Sequence, residues 1–482
     1  MINYKVILNF LGFLLILNGI AMMFGIPFSI YHGDDDIYSL LFSGLAISTI
    51  GFIAYYLTKD SNKDIKKREG YIVVTLGWLI MSLSGAIPFM VHGSIPSFTD
   101  AFFETMSGFT TTGASILNDI EAMPHGLLFW RSFTQWLGGM GFIVLSLAIL
   151  PILGIGGMQL FVAEVPGPTK DKIHPRIRET AKRLWGIYVL LTLVEVFLLL
   201  IGGMDLFDAV NHAFTTMATG GFSTKQDSIA HFTSPFIQYV IILFMFLAGM
   251  NFSLHYYWLH RNFDPVKKNE EFKFYSFLIV SFSVLISFGL FLQGDIGVEK
   301  TIRDSLFQVV SIITTTGFVT ADYELWGVFF HALFFLMLFI GGSAGSTGGG
   351  VKAVRHLLLI KNSALELRRL VHPRAVIPVR YNGNSVSKDI IFNIMAFLLF
   401  YLAIFVTGTI AMTLIGLDFL TAMGSVATSL GNVGPAIEGV GPSDNFSHIP
   451  DIGKWILSFL MLLGRLELFT ILIIFSPSFW KK

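Results

Sequence analysis

The sequence predicts an all-α polytopic membrane protein: four membrane–pore-helix–membrane repeats preceded by two extra transmembrane helices. Three observations predict this fold. The composition is that of a bilayer protein, ten apolar runs recur along the 482 residues, and a short glycine-ended motif returns four times. Hydrophobic residues make up 54% of the chain and charged residues 13%, and the mean hydropathy is +0.69. Soluble domains carry about 25% charged residues. The net charge is zero, which gives no indication of a nucleic-acid partner. Cysteine is absent, so disulfides, thiol catalysis and cysteine metal sites are excluded.

Apolar runs of about 20 residues, long enough to cross a bilayer, fall near 5–30, 38–58, 71–92, 127–154, 184–203, 234–260, 274–294, 326–360, 390–415 and 451–475. The first is too long for a signal sequence and shows no cleavage site, so it reads as a retained transmembrane helix. Segments 59–68, 170–183, 261–273 and 352–388 hold 23 of the 32 Lys and Arg. The positive-inside rule places that side in the cytoplasm, and an even number of spans places both termini there too.

The last four pairs of spans are joined by segments that are neither polar loop nor full span. They read SFTDAFFETMSGFTTTGASI, LFDAVNHAFTTMATGGFST, TIRDSLFQVVSIITTTGFVT and FLTAMGSVATSLGNVGPAI. Each opens with a stretch long enough for a half-span helix and breaks at a tetrapeptide: TTTG at 110–113, ATGG at 218–221, TTTG at 314–317 and GNVG at 431–434. The final glycines, Gly113, Gly221, Gly317 and Gly434, lie 108, 96 and 117 residues apart. A fixed period of this kind marks an internal repeat. The chain therefore divides into a two-helix domain at 1–69 and repeats at 70–169, 170–272, 273–387 and 388–482.

Unpaired carbonyls are tolerated at membrane depth only where they line a cavity or lie within protein. Four re-entrant segments can meet on one pseudo-fourfold axis, where their carbonyls replace the hydration shell of a cation. Glycine supplies positive φ, which lets successive carbonyls face one way. The half-helices add partial negative charge at their C-termini. The expected lining is the backbone of Thr110, Thr111, Thr112 and Gly113; Ala218, Thr219, Gly220 and Gly221; Thr314, Thr315, Thr316 and Gly317; and Gly431, Asn432, Val433 and Gly434. The blander reading is a helix C-cap followed by a solvated loop, since glycine is common there. Four copies in register favour the filter. The fourth copy is the weakest, having no threonine and being followed by Pro435.

Together with GGMGFIVLSLAILPILGIGGMQLF at 138–161, VPGPTKDK after it, IGGSAGSTGGGVK at 340–352, LVHPRAV at 370–376 and GRLELFT at 464–470, these segments resemble the Trk/Ktr/HKT superfamily of potassium-uptake proteins, most closely its bacterial Trk branch. The resemblance covers essentially the whole chain. It implies a homodimer in the bacterial cytoplasmic membrane, in contact with lipid, and a cytoplasmic TrkA-type nucleotide-binding ring that gates the pore. It implies potassium as the transported ion, because a glycine ends the filter in all four repeats. No organic cofactor is expected to bind this chain. A sodium-conducting or sodium- or proton-coupled transporter of the same fold remains the alternative.

The resemblance also implies a gate at Gly345, Ser346, Thr347, Gly348, Gly349 and Gly350, inside the longest apolar run, where glycine this dense breaks a helix. Close small-residue helix packing is the other reading. The segment lacks the G-K-[ST] ending of a phosphate-binding loop. Arg465, a charge within the last span, is expected to reach the pore below the filter or to form a structural pair with Glu467. Glu104, Asp100 and Asp304 either set a negative field at the outer mouth or serve as caps and polar faces. His212 reads as a hydrogen-bonded structural residue. The HPR triplets at 174–176 and 372–374 are docking surfaces or insertion signals. With no Cys, no HExxH and no acidic pair inside a span, nothing supports an intramembrane enzyme.

Overall fold

The computed structural model describes residues 2–59, 66–139, 141, 177–294, 297–375 and 377–481. Most of the motif at 138–161, the VPGPTKDK segment and the first HPR triplet lie outside the described residues.

Among the described residues six helices are long and apolar enough to cross a membrane: Tyr4–His32, Ile37–Leu57, Arg68–His92, Ala181–Ile201, Glu270–Gln293 and Lys388–Leu414. They are the two N-terminal spans and the first span of every repeat. The second spans are different. In repeat 2, Pro235–Ala248 and Phe252–Leu259 meet at 105°; in repeat 4, Asp451–Arg465 and Phe469–Phe475 meet at 116°. In repeat 3, Val328–Met337 ends well before Ala353–Val371 begins. The runs expected at 234–260, 326–360 and 451–475 are therefore broken. The backbone freed at the breaks finds protein partners, as it must at membrane depth. The Gly249 carbonyl, at the break in repeat 2, accepts from the Ser343 amide at 2.9 Å.

The two N-terminal spans pack backbone to backbone. A Cβ built on Gly12 would lie 2.8 Å from the Gly51 carbonyl oxygen, and one on Gly19 would lie 2.4 Å from that of Gly44. Only small residues allow so close an approach.

Between the spans of each repeat stands a pore helix: Phe98–Phe109, Leu206–Met217, Val298–Ile313 or Phe419–Gly431. Their lengths of 12, 12, 16 and 13 residues correspond to about 18–24 Å, short of the ~30 Å hydrocarbon core. Side chains start three of them: Ser97 accepts from the Asp100 amide at 3.3 Å, Asp205 from the Asp208 amide at 2.6 Å and Asp418 from the Thr421 amide at 3.0 Å. The architecture is that of four membrane–pore-helix–membrane repeats around one centre, preceded by two transmembrane helices.

On the basic side, Arg380–Tyr381 pairs antiparallel with Asn384–Ser385 across an Asn382–Gly383 turn. Both turn residues have positive φ, 47° and 80°, as a two-residue hairpin turn demands. The hairpin carries Val379 and Tyr381 into a small separate core with Val354, Leu357 and Ile391. The second HPR triplet, at 372–374, is exposed beside it.

Candidate functional site

The four tetrapeptides share one backbone conformation. Their second residues, Thr111, Thr219, Thr315 and Asn432, have φ of 54°, 53°, 60° and 54°; the final glycines have φ of 83°, 77°, 81° and 101°. The third residues also repeat one bond. The amides of Thr112, Gly220, Thr316 and Val433 donate to the carbonyls of Ser107, Thr215, Ser311 and Thr428, five residues back, at 2.8 to 3.1 Å. This is the 6→1 bond of a Schellman cap. The helix cap expected under the blander reading is thus present in all four copies. The left-handed capping residue is a threonine in three copies, a conformation that costs a β-branched residue about 1–3 kcal/mol.

The tetrapeptides come together as a closed ring. A Cβ on Gly113 would lie 2.2 Å from the Gly220 oxygen, one on Gly221 2.0 Å from the Thr316 oxygen, one on Gly317 2.0 Å from the Val433 oxygen, and one on Gly434 2.8 Å from the Thr112 oxygen. The last residue of each copy thus abuts the third residue of the next, in the order 1, 2, 3, 4 and back to 1. The fourth copy, weakest by sequence, has the same geometry as the others. Asn432 supplies what its missing threonines do not, donating from Nδ2 to Thr112 Oγ1 at 3.0 Å and to the Met461 carbonyl at 2.9 Å. In the two TTTG copies the outer hydroxyls bond each other, Thr110 to Thr112 at 2.8 Å and Thr314 to Thr316 at 2.7 Å. Among the described residues three ring carbonyls have protein donors: Ala218 accepts from Thr219 Oγ1 at 2.6 Å, Gly220 from Gln135 Nε2 at 2.7 Å and Gly434 from Thr428 Oγ1 at 2.9 Å.

On one side of the ring the final glycines line a cavity of about 90 Å³, together with Ser115, Arg131, Phe222, Ser223, Lys225 and Asp444. On the other side lies the glycine-rich segment. The Gly349 amide donates to Thr315 Oγ1 at 2.7 Å, and Thr347 Oγ1 donates to the carbonyls of Met217 at 3.0 Å and Ala248 at 3.2 Å. A Cβ on Gly348 would lie 2.8 Å from the Thr314 oxygen, and one on Gly349 2.6 Å from the Gly431 oxygen. Gly345 and Gly350 have positive φ, and Ser346 Oγ donates to the Ser343 carbonyl at 2.6 Å. The buried Lys352 ammonium donates to the Gly348 carbonyl.

Arg465 ends its helix at this segment. Its Nη1 donates to the Thr347 carbonyl at 2.8 Å and to Thr111 Oγ1 at 3.1 Å, and its Nη2 to the Gly139 carbonyl at 2.9 Å. One guanidinium thus joins the glycine-rich segment, the first tetrapeptide and the helix His125–Gly139. Glu467, the pairing partner considered for Arg465, forms an ion pair with Arg355.

The acidic residues belong to the framework. Glu104 is 1% exposed and accepts from Arg131 Nε at 2.7 Å, from Ser115 Oγ at 2.9 Å and from the Ile116 amide at 2.9 Å. Asp100 pairs with Lys454 at 2.5 Å, and Asp304 is buried. His212 is structural, as expected, with its ring nitrogens 2.8 Å from the Asp208 carbonyl and 2.9 Å from Ser223 Oγ. Glu104, His212, Gln308 and Ser425 all stand nine residues before a final glycine. Three of them hold the strand beyond it, Gln308 through the Ala321 carbonyl at 3.2 Å.

Arg131 and Glu195 are buried charges in apolar helices that the sequence reading passed over; each lone charge inside a hydrophobic run was the available signal. Glu195 is 0% exposed, and neither carboxyl oxygen has a hydrogen-bond partner among the described residues.

A family model described as TrkH, cation transport protein, matches residues 40–482. The chain is 41% identical over 488 residues to the Trk system potassium uptake protein TrkH of Escherichia coli, covering 100% of both. It is 33% identical to the Escherichia coli protein TrkG, over 100% of this chain and 99% of that one. Among solved structures it is similar to the potassium transporter TrkH from Vibrio parahaemolyticus, with a TM-score of 0.90 and 36% identity over the full length of both chains.

Proposed function

The chain belongs to the TrkH family of cation transport proteins, and on that premise we propose that it takes up potassium through the ring of four tetrapeptides. It is a transporter and not an enzyme. The observation that carries the reading is the closed order of contacts from repeat 1 to repeat 4 and back, with the same pair of positive-φ residues in every copy. Four equivalent strands of backbone around one axis suit a spherical cation, and no side-chain charge is required to hold it.

An ion enters the cavity lined by the final glycines and exchanges water for backbone oxygens in the ring. It then meets the glycine-rich segment 345–350, which closes the far side. That segment is the gate. It hangs from the ring by the bonds of Thr347 and Gly349, and Arg465 latches it to the first tetrapeptide. Dense glycine makes movement cheap, and the breaks at 249–251 and 466–468 give adjoining helices room to turn. The guanidinium adds a fixed positive charge that opposes cation passage while the gate is shut. The basic side faces the cytoplasm, where the hairpin at 380–385 and the exposed 372–374 triplet offer a surface to a nucleotide-binding regulatory ring, and the working unit is a homodimer.

The test is flux in liposomes under an imposed potential, with the purified chain alone and with its regulatory partner and nucleotide. Preference for potassium and rubidium over sodium is expected. A sodium preference would overturn the ion assignment, and no flux in the presence of the partner would overturn the pore.

A further inference from the structure

Each junction of the ring is bridged differently. Repeats 3 and 4 are tied by Tyr323 Oη donating to the Ala436 carbonyl at 2.5 Å. Repeats 4 and 1 are tied by the Phe446 amide donating to the Ser115 carbonyl at 2.8 Å. Repeats 2 and 3 are tied by the Ala230 amide donating to the Val319 carbonyl at 3.0 Å. At the junction of repeats 1 and 2, two side chains four residues apart on one helix face, Arg131 and Gln135, reach across to the second tetrapeptide and the strand beyond it.

We infer that Arg131 is a positioning residue for cation discrimination, its guanidinium holding the first and second tetrapeptides in register. The inference rests on the reading of the tetrapeptides as the filter. The guanidinium is 2% exposed. Nε donates to Glu104 Oε1 at 2.7 Å, and Glu104 in turn holds Ser115 and Ile116, just beyond Gly113. Nη1 donates to the Ser223 carbonyl at 3.0 Å, and the guanidinium carbon stacks 3.6 Å from the centre of the Phe222 ring, both just beyond Gly221. One planar cation therefore fixes the strands on either side of the contact between Gly113 and the Gly220 oxygen. A lysine retains the charge but has neither the fork nor the plane needed to make all three contacts. If Arg131 served only to neutralise Glu104, lysine would substitute for it fully.

The experiment compares Arg131→Gln, Arg131→Lys and Gly317→Ala in full-length protein in liposomes, reading the potassium-to-sodium flux ratio beside thermal stability. Gly317 lies across the ring and touches neither Arg131 nor Glu104, so it tests the filter independently. The expected result is a ratio reduced about tenfold in Arg131→Gln, the scale of losing one charge-assisted hydrogen bond, and reduced less in Arg131→Lys. Should Arg131→Gln fail to fold, Arg131→Lys alone carries the test, because it leaves Glu104 paired. A wild-type ratio in folded Arg131→Lys and Arg131→Gln, with a collapsed ratio in Gly317→Ala, overturns the positioning role and leaves the filter standing. A wild-type ratio in all three removes the filter reading and this inference with it.

Discussion

Alanine at each of the four final glycines should damage ion discrimination in an order set by the ring itself. All four have positive φ, between 77° and 101°, so each alanine carries a backbone cost of about 1–2 kcal/mol that barely distinguishes them. The steric terms do distinguish them. The new methyl would stand 2.0 Å from a neighbouring carbonyl oxygen at Gly221 and Gly317, 2.2 Å at Gly113 and 2.8 Å at Gly434, whereas ordinary contact begins at 3.4 Å. The neighbouring carbonyl must therefore retreat by 1.4 Å, 1.4 Å, 1.2 Å and 0.6 Å respectively. Binding sites keep their discrimination within about 0.5 Å of the productive geometry. Gly221→Ala and Gly317→Ala should bring potassium and sodium fluxes close to parity, with Gly113→Ala near them, while Gly434→Ala keeps a measurable potassium preference. The assay is flux of potassium, rubidium and sodium in liposomes, with thermal unfolding to confirm folded protein. Equal loss at Gly434 and Gly317, or full selectivity in Gly317→Ala, would refute the reasoning.

Other perturbations test other parts. Arg465→Gln, and separately deletion of 345–349, should raise basal flux measured without the regulatory partner; unchanged flux in folded protein would mean the segment is not the gate. Glu195→Leu should raise thermal stability, since it removes a buried carboxyl that has no hydrogen-bond partner among the described residues, a burden of about 1–3 kcal/mol; a lowered midpoint would count against that. Asp418→Ala should cost about 1 kcal/mol in chemical denaturation by uncapping the fourth pore helix, and Asp418→Asn much less. The Thr421 amide holds the Asp418 carboxyl below its usual range. The charged cap is therefore worth most above the unfolded pKa of 3.8, and its contribution fades as pH falls through the lower folded value. A pH-independent difference between wild type and Asp418→Asn would contradict this.

The repeat and the ring were legible because both are written in chain order: a glycine after a half-span helix, four times. The strain was not. Local propensity argues against a left-handed threonine, and nothing near Thr111, Thr219 or Thr315 announces one; each is seen only in the structure, where it closes the end of its own pore helix. Hydropathy also hid the broken spans, since 234–260 and 451–475 each pass as one apolar run long enough to cross a bilayer. Hydropathy measures what a segment is made of and is blind to where its carbonyls are satisfied. Glu104 was read as a candidate mouth charge because its partner, Arg131, stands 27 residues away, outside any local window.

The closed ring within one chain has a consequence for how such a protein can change. In a pore made of four identical subunits, a single altered codon alters every corner together, and a tolerable change must be tolerable four times over. Here each corner is encoded separately. The second corner has Ala218 and Gly220 where the first has threonines, and the fourth has Asn432 followed by Pro435. Each departing corner stands between the two TTTG corners, the first and the third. Only the final glycine is the same at all four corners, where the methyl of any larger residue would strike the next strand.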